Sequence, residues 1–151
     1  MRVIPSLIMA EVRPVMEASA QELVDLMKTL VPVEDGNLRD SIGWAWGNAP
    51  KGSIALDSIE ARKNAENRIV IFAGNELAYY ARFVEFGTSP HSVSERADLS
   101  ASAKSGSEQD GIMHPGSAAH PFFWPAYRAL KAKIRRRITA AVRSGIKKAN
   151  Q

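Results

Sequence analysis

Between Pro14 and Val31 the apolar residues Met16, Ala20, Leu23, Met27 and Leu30 recur at spacings of four, three, four and three. That spacing places them on one stripe of a helix. Pro14 suits the first turn of such a helix, where a missing N–H costs nothing, and Pro32 ends it by disfavouring helical geometry at Val31. In "VPVEDGNLRDSI", Asp35-Gly36 reads as a turn, and Asn37 with Asp40 three residues later reads as a cap opening a short helical turn. The pattern then switches to a period of two. Ile42, Trp44 and Trp46 alternate with Gly43, Ala45 and Gly47, so the large side chains share one face of a strand, and the small face leaves room for another chain to approach closely.

A second strand is predicted at residues 68–74, "RIVIFAG", after a partly polar connection from Pro50 to Asn67 that has room for a short element of its own. In "ELAYYARFVEFG", Leu77, Tyr80 or Ala81, and Val84 fall at helical spacing, with Gly87 as the stop. Residues 88–113 carry seven serines and few large apolar side chains. Such a segment buries too little surface to offset its ordering entropy, so a flexible Ser-rich loop is expected there. After the "HPG" turn, Tyr127, Leu130, Ile134, Ile138 and Val142 define a last helix from about Pro125 to Lys148. The sum is one α+β domain over residues 1–151: a small antiparallel sheet packed with an amino-terminal helix and a long basic carboxy-terminal helix.

A chain of 151 residues fits one domain. The apolar stretch from Val3 to Ala10 is broken by Pro5 and Ser6 and preceded only by Arg2, too short for a membrane span and poor as a secretion signal, which predicts a cytoplasmic product. There is no cysteine, so disulfides and thiolate chemistry are excluded. Charge is divided unevenly. From Phe122 onward there are nine Lys or Arg and no acid, whereas the preceding part holds eleven basic and sixteen acidic side chains, a net of −5. An acidic body with a basic tail can bind polyanions, or it can match the tail of one subunit to the body of the next.

His91, His114, His120 and Glu85 can be assembled into a metal-ligand set on paper, but no histidine pair stands at the tight helical spacing of zinc sites, and no metal or cofactor is expected. A serine hydrolase would need a G-x-S-x-G elbow, and none occurs. The pairs Glu34-Asp35 and Glu108/Asp110 sit in turn-like or serine-rich text, and no glycine-rich phosphate loop is followed by lysine, so catalysis is not expected. Nucleic-acid binding through Arg135, Arg136, Arg137 and the flanking lysines is the rival reading. Consecutive arginines on a helix point about 100° apart, a pattern suited to broad electrostatic contact rather than base readout. Phe122, Phe123 and Trp124 anchor the start of the last helix. Adjacent rings cannot all face one core, so Phe123 and Trp124, with the three arginines, are candidate interface residues.

The order of "LVPVEDGNLRDSI", "YYARFVEFGTSPH" and "HPGSAAHPFFWPAYRAL" resembles the neck or tail-completion proteins of long-tailed bacteriophages, the gene-product-ten-like family of the HK-ninety-seven type, related to lambda's minor tail protein Z. The matching positions are Pro32, Gly36, Leu38 and Ser41, then Tyr80, Ala81, Val84, Glu85, Gly87 and Thr88. His114, Pro115, Gly116, Pro121, Phe122, Pro125 and Ala126 complete the third motif. The resemblance implies a structural, non-enzymatic virion protein at the head–tail joint, assembled in the host cytoplasm. It implies a ring of copies, sixfold favoured over twelvefold, with head-connector and tail-terminator or tail-tube proteins as neighbours and nonspecific DNA contact in reach. The Ser-rich segment is longer than the family pattern needs.

Overall fold

The computed structural model describes residues 3–59, 67–93 and 112–151. The element order is α1 (Val3–Leu30), α2 (Asn37–Ser41), β1 (Gly43–Trp46), β2 (Ile54–Ile59), β3 (Ile69–Ala73), α3 (Ala81–Phe86), β4 (His91–Val93), β5 (Ile112–His114) and α4 (Phe123–Ala149). The α+β architecture is as expected from the sequence. The three-stranded sheet has the order β1-β3-β2, antiparallel throughout, and β4 pairs with β5 in a separate ladder.

Helix α1 begins eleven residues before the position predicted for it, and Pro14 lies inside it. Proline in a helix interior costs about 3 kcal/mol or more because it removes a ladder hydrogen bond. Here the apolar stripe runs straight through: Val12 and Met16 are buried, and Ile8, one further turn back, packs on the same core. Tertiary burial on α4 offsets the proline, which local propensity alone could not foresee. Pro32 terminates the helix as predicted, with the Val31 N–H donating to the Met27 carbonyl at 2.9 Å.

The two long helices run antiparallel. Glu22 of α1 accepts from Lys133 and, at 2.5 Å, from Arg137, while Lys148 reaches Glu11 at 2.7 Å. Near the far end Gly145 is buried and its Cα lies so close to α1 that an added Cβ would stand 2.8 Å from the Ile8 Cα. The helices approach there through the absence of a side chain.

Strand β3 is the centre of the sheet, and its Ile69, Ile71 and Ala73 join Leu23, Val24 and Met27 of α1 and Phe122, Phe123 and Ala126 of the α4 entry in one core. The large face of β1 turns toward α1: the indole N–H of Trp44 donates to Gln21 at 3.0 Å and that of Trp46 to Glu17 at 2.9 Å. Its small face is not open to another chain at Gly43, where the ring of Phe72, its register partner on β3, would stand 2.9 Å from an added Cβ. The connection from Pro50 to Asn67 contributes β2, which pairs with β3 across an irregularity between Ala55 and Asp57.

Two local readings change. Asn37 does not cap α2; Gly36, with φ 82°, occupies the cap, and the Asn37 amide donates instead to Asp35 at 3.3 Å. Leu77 lies outside α3 and is exposed, because the Asn75 side chain accepts from the Leu77 and Ala78 N–H groups in a turn that delays the helix to Ala81. Of the Ser-rich span 88–113, the ends form β4 and β5, which are joined to the body by a Thr88–Ser117 bridge; residues 94–111 lie outside the described residues.

Substituting Gly145→Val should force α1 and α4 apart and destabilise the fold by about 1–3 kcal/mol, the cost of overpacking a closed contact, read from chemical denaturation. The bonds from Lys133 and then Arg137 hold the Glu22 carboxyl below its ordinary 4.5. A depressed carboxylate stabilises the fold above its unfolded value, and that stabilisation is lost as pH falls through the folded one. Below pH 4.5, therefore, thermal stability should fall more steeply in the wild type than in Glu22→Gln.

Candidate functional site

The segment "FFWP", residues 122–125, opens α4 without a Ser, Thr, Asp or Asn to cap it. A helix start leaves four backbone N–H groups without intrahelical partners. Here three of them go to one carboxylate. Glu85 of α3, 2% exposed, accepts from the Phe122 N–H at 2.8 Å, the Phe123 N–H at 2.9 Å and the Trp124 N–H at 3.1 Å. The fourth position is Pro125, which has no N–H to satisfy. A negative charge at this place also complements the positive end of the α4 dipole.

The approach to the cap is tied down by backbone. His120 N–H donates to the Val84 carbonyl at 2.8 Å, and Thr88 and Ser117 exchange N–H···O bonds of 3.0 and 3.2 Å. Two glycines make this closeness possible. Gly87 ends α3 at φ 70° and Gly116 follows β5 at φ 85°; a Cβ on Gly87 would lie 2.6 Å from the Ser117 carbonyl, and one on Gly116 2.2 Å from the Thr88 carbonyl. Only a residue without Cβ fits either place. Ser41, from the first motif, is similarly placed: its hydroxyl donates to Leu38 and accepts from Gly74, fixing α2 to the end of β3.

These contacts assemble the three sequence motifs around an open cleft of about 1110 Å³. Pro32, Gly36 and Leu38 form one wall, Tyr80, Val84, Gly87 and Thr88 the floor, and His91, His114, Ser117 and His120 the other wall. Phe83 and Phe86 stand at its edge, 50% and 59% exposed. Burial, followed by the nearby Asp35 and Glu34 carboxylates, pushes the Tyr80 phenol above its usual 10. His91 and His114 are register partners whose rings stack at 5.1 Å; Nδ1 of His91 lies 3.0 Å from the Ser89 carbonyl and Nδ1 of His114 accepts from the Gly116 N–H. With Glu85 engaged at the α4 cap, the ligand set imagined from the sequence is not assembled, and among the described residues no group of three or more metal-binding side chains comes together.

The remaining motif residues serve the scaffold. Ala81, Phe122 and Ala126 are fully buried, Pro125 is half-buried in the first turn of α4, and Pro115 and Pro121 are exposed in the connection before it. A model of the HK97-gp10-like family, described as "Bacteriophage HK97-gp10, putative tail-component", matches residues 4–87. The chain belongs to this family. The match takes in nearly all of α1, the first motif and the second as far as Gly87, so Thr88 and "HPGSAAHPFFWPAYRAL" lie beyond it although they fold onto the matched part. No curated protein and no solved structure matches the chain. It is a phage structural protein of the tail-component type, a virion constituent, and among its described residues no helix is long and apolar enough to cross a membrane.

Of the candidate interface residues, Phe123 is 1% exposed and stacks on Tyr127 at 5.7 Å, which makes it a core residue of this HK97-gp10-like fold. Trp124 is the ring left at the surface, 41% exposed. Arg135, Arg136 and Arg137 are all exposed, and of the three Arg137 is drawn to Glu22.

Replacing Glu85 with alanine should strip three N–H groups of their acceptor and cost about 2–4 kcal/mol, a lost cap together with buried donors left unpaired. Glu85→Gln, which keeps one acceptor oxygen, should recover part of that loss in the same denaturation experiment; equal stability of all three proteins would refute the cap.

Proposed function

We propose that the protein acts at the head–tail joint of the virion, as a neck or tail-completion component that makes the joint competent. It works as a ring of copies, sixfold favoured over twelvefold, between head-connector and tail-terminator or tail-tube neighbours, after assembly in the host cytoplasm. The observation that carries this reading is the convergence of all three motifs on one cleft edged by apolar surface. Phe83, Phe86 and Tyr79 lie on or just before α3 at 50–69% exposure, and Met113 stands on β5 at 64%. Clustered apolar exposure of this kind marks contact with another macromolecule.

The polar groups of the cleft support a scaffolding role rather than a reaction. His91 and His114 of the cleft each have Nδ1 at a backbone group, and Glu85, buried outside its lining, is held by backbone donors. A ring requires a heterologous contact, one patch against a different patch of the next copy. The cleft edge and Trp124, exposed and outside the cleft lining, are the two patches we offer for such a pair.

The test is complementation in a lysogen or phage whose copy of this gene is disrupted. Electron microscopy should show filled heads and separate tails. Supplying the wild-type chain should restore joined particles, and a folded Phe83→Ser/Phe86→Ser variant should not. Infectious particles at normal yield from the disrupted strain would overturn the reading.

A further inference from the structure

The nine cations of the carboxy-terminal segment divide into two sets by position. Lys133, Arg137 and Lys148 point toward α1 and are neutralised there by Glu22 and Glu11. The other six, Arg128, Lys131, Arg135, Arg136, Arg143 and Lys147, are all exposed and have no ion-pair partner among the described residues. At about 100° per residue these six fall within one arc of roughly 160°, and at one edge of it Lys131 and Arg135 flank a pocket shared with Leu23 of α1 and Ile71 of β3. They extend from residue 128 to residue 147, about 28 Å along the axis at about 1.5 Å per residue. Helix α4 carries no acid to interrupt them.

We infer that this outward face of α4 is a docking surface for duplex DNA, bound through its phosphates without regard to sequence. The arc is too wide to enter one groove as a reading head, but a duplex presents a phosphate about every 3.4 Å on each strand, so each cation along the helix has one within reach. An acidic face on another copy of the chain matches less well. Of the acids in the described body, Glu11 and Glu22 are ion-paired with α4, Asp40 with Arg39, and Glu85 is buried at the α4 cap; the others are divided among α1 (Glu17, Asp25), the turn before α2 (Glu34, Asp35), β2 (Asp57) and the turn after β3 (Glu76). Scattered over four elements, these acids form no row on α4's scale, and among the described residues none is ion-paired with the cationic stripe.

The experiment is a titration of the full chain with a mixed-sequence duplex across about 50 to 200 mM salt, where six phosphate contacts predict a loss of affinity of about 10³-fold and a log–log slope near −5. The variant Arg135→Gln/Arg136→Gln/Arg143→Gln should keep its fold by circular dichroism and lower the slope magnitude by about 3, at about 0.9 per contact. The control Lys133→Gln/Arg137→Gln, which alters cations turned toward α1, should leave the slope unchanged. Absence of binding at low salt would overturn the inference, as would equal effects of the two variants. It would also be overturned if the triple variant abolished salt-sensitive self-association in sedimentation while duplex failed to bind. None of these outcomes bears on particle joining, which the complementation experiment decides separately.

Discussion

One buried carboxylate holds this structure to its shape. Glu85 sits in the short helix α3, yet its partners are the first three N–H groups of α4, thirty-seven to thirty-nine residues later. A buried charge is costly unless hydrogen bonds replace its water, and a helix start is unstable unless its donors find acceptors. Each requirement is met by the other. With Pro125 supplying no fourth donor, the helix end and the carboxylate complete one another. The knot of rings in "HPFFWP" is therefore architecture, a helix start held by a remote acid, and not a chemical centre.

That contact fixes where α4 begins, and α4 in turn covers α1. The same junction brings α3 against the segment before α4 through His120–Val84 and the Thr88–Ser117 bridge, which gives the cleft its floor and one wall. Family membership rests on residues 4–87, but those residues build only part of this surface. The wall formed by His114, Ser117 and His120 comes from sequence beyond the match, so the shape presented to a partner depends on both portions.

Much of this was legible from residue pattern. The stripes of α1 and α4, the alternation of β1, the stop at Pro32 and the α+β class follow from periodicity and breakers, because burial of a face imposes the period of the backbone. What pattern could not supply was interaction at a distance. Pro14 looked like a helix start since local propensity says so, and only the contact of Ile8 and Val12 with the core shows why the helix continues. Gly43 looked like an opening until Phe72 was placed over it. In the sequence Glu85 stands out as a motif residue and as a ligand on paper, but not as a helix cap. The available signal was a helix beginning "FFWP" without a capping side chain, together with a lone acid in the apolar helix "ARFVEF".

The pairing of α1 with α4 also has a consequence for how the molecule comes into being. Helix α1 is made before α4 with Val12, Met16 and Leu23 on its surface, and its cover is not synthesised until about a hundred residues later. Loop closure over that separation is slow compared with local helix formation, so α1 stands as a bare apolar strip until α4 has been made and folds back onto it.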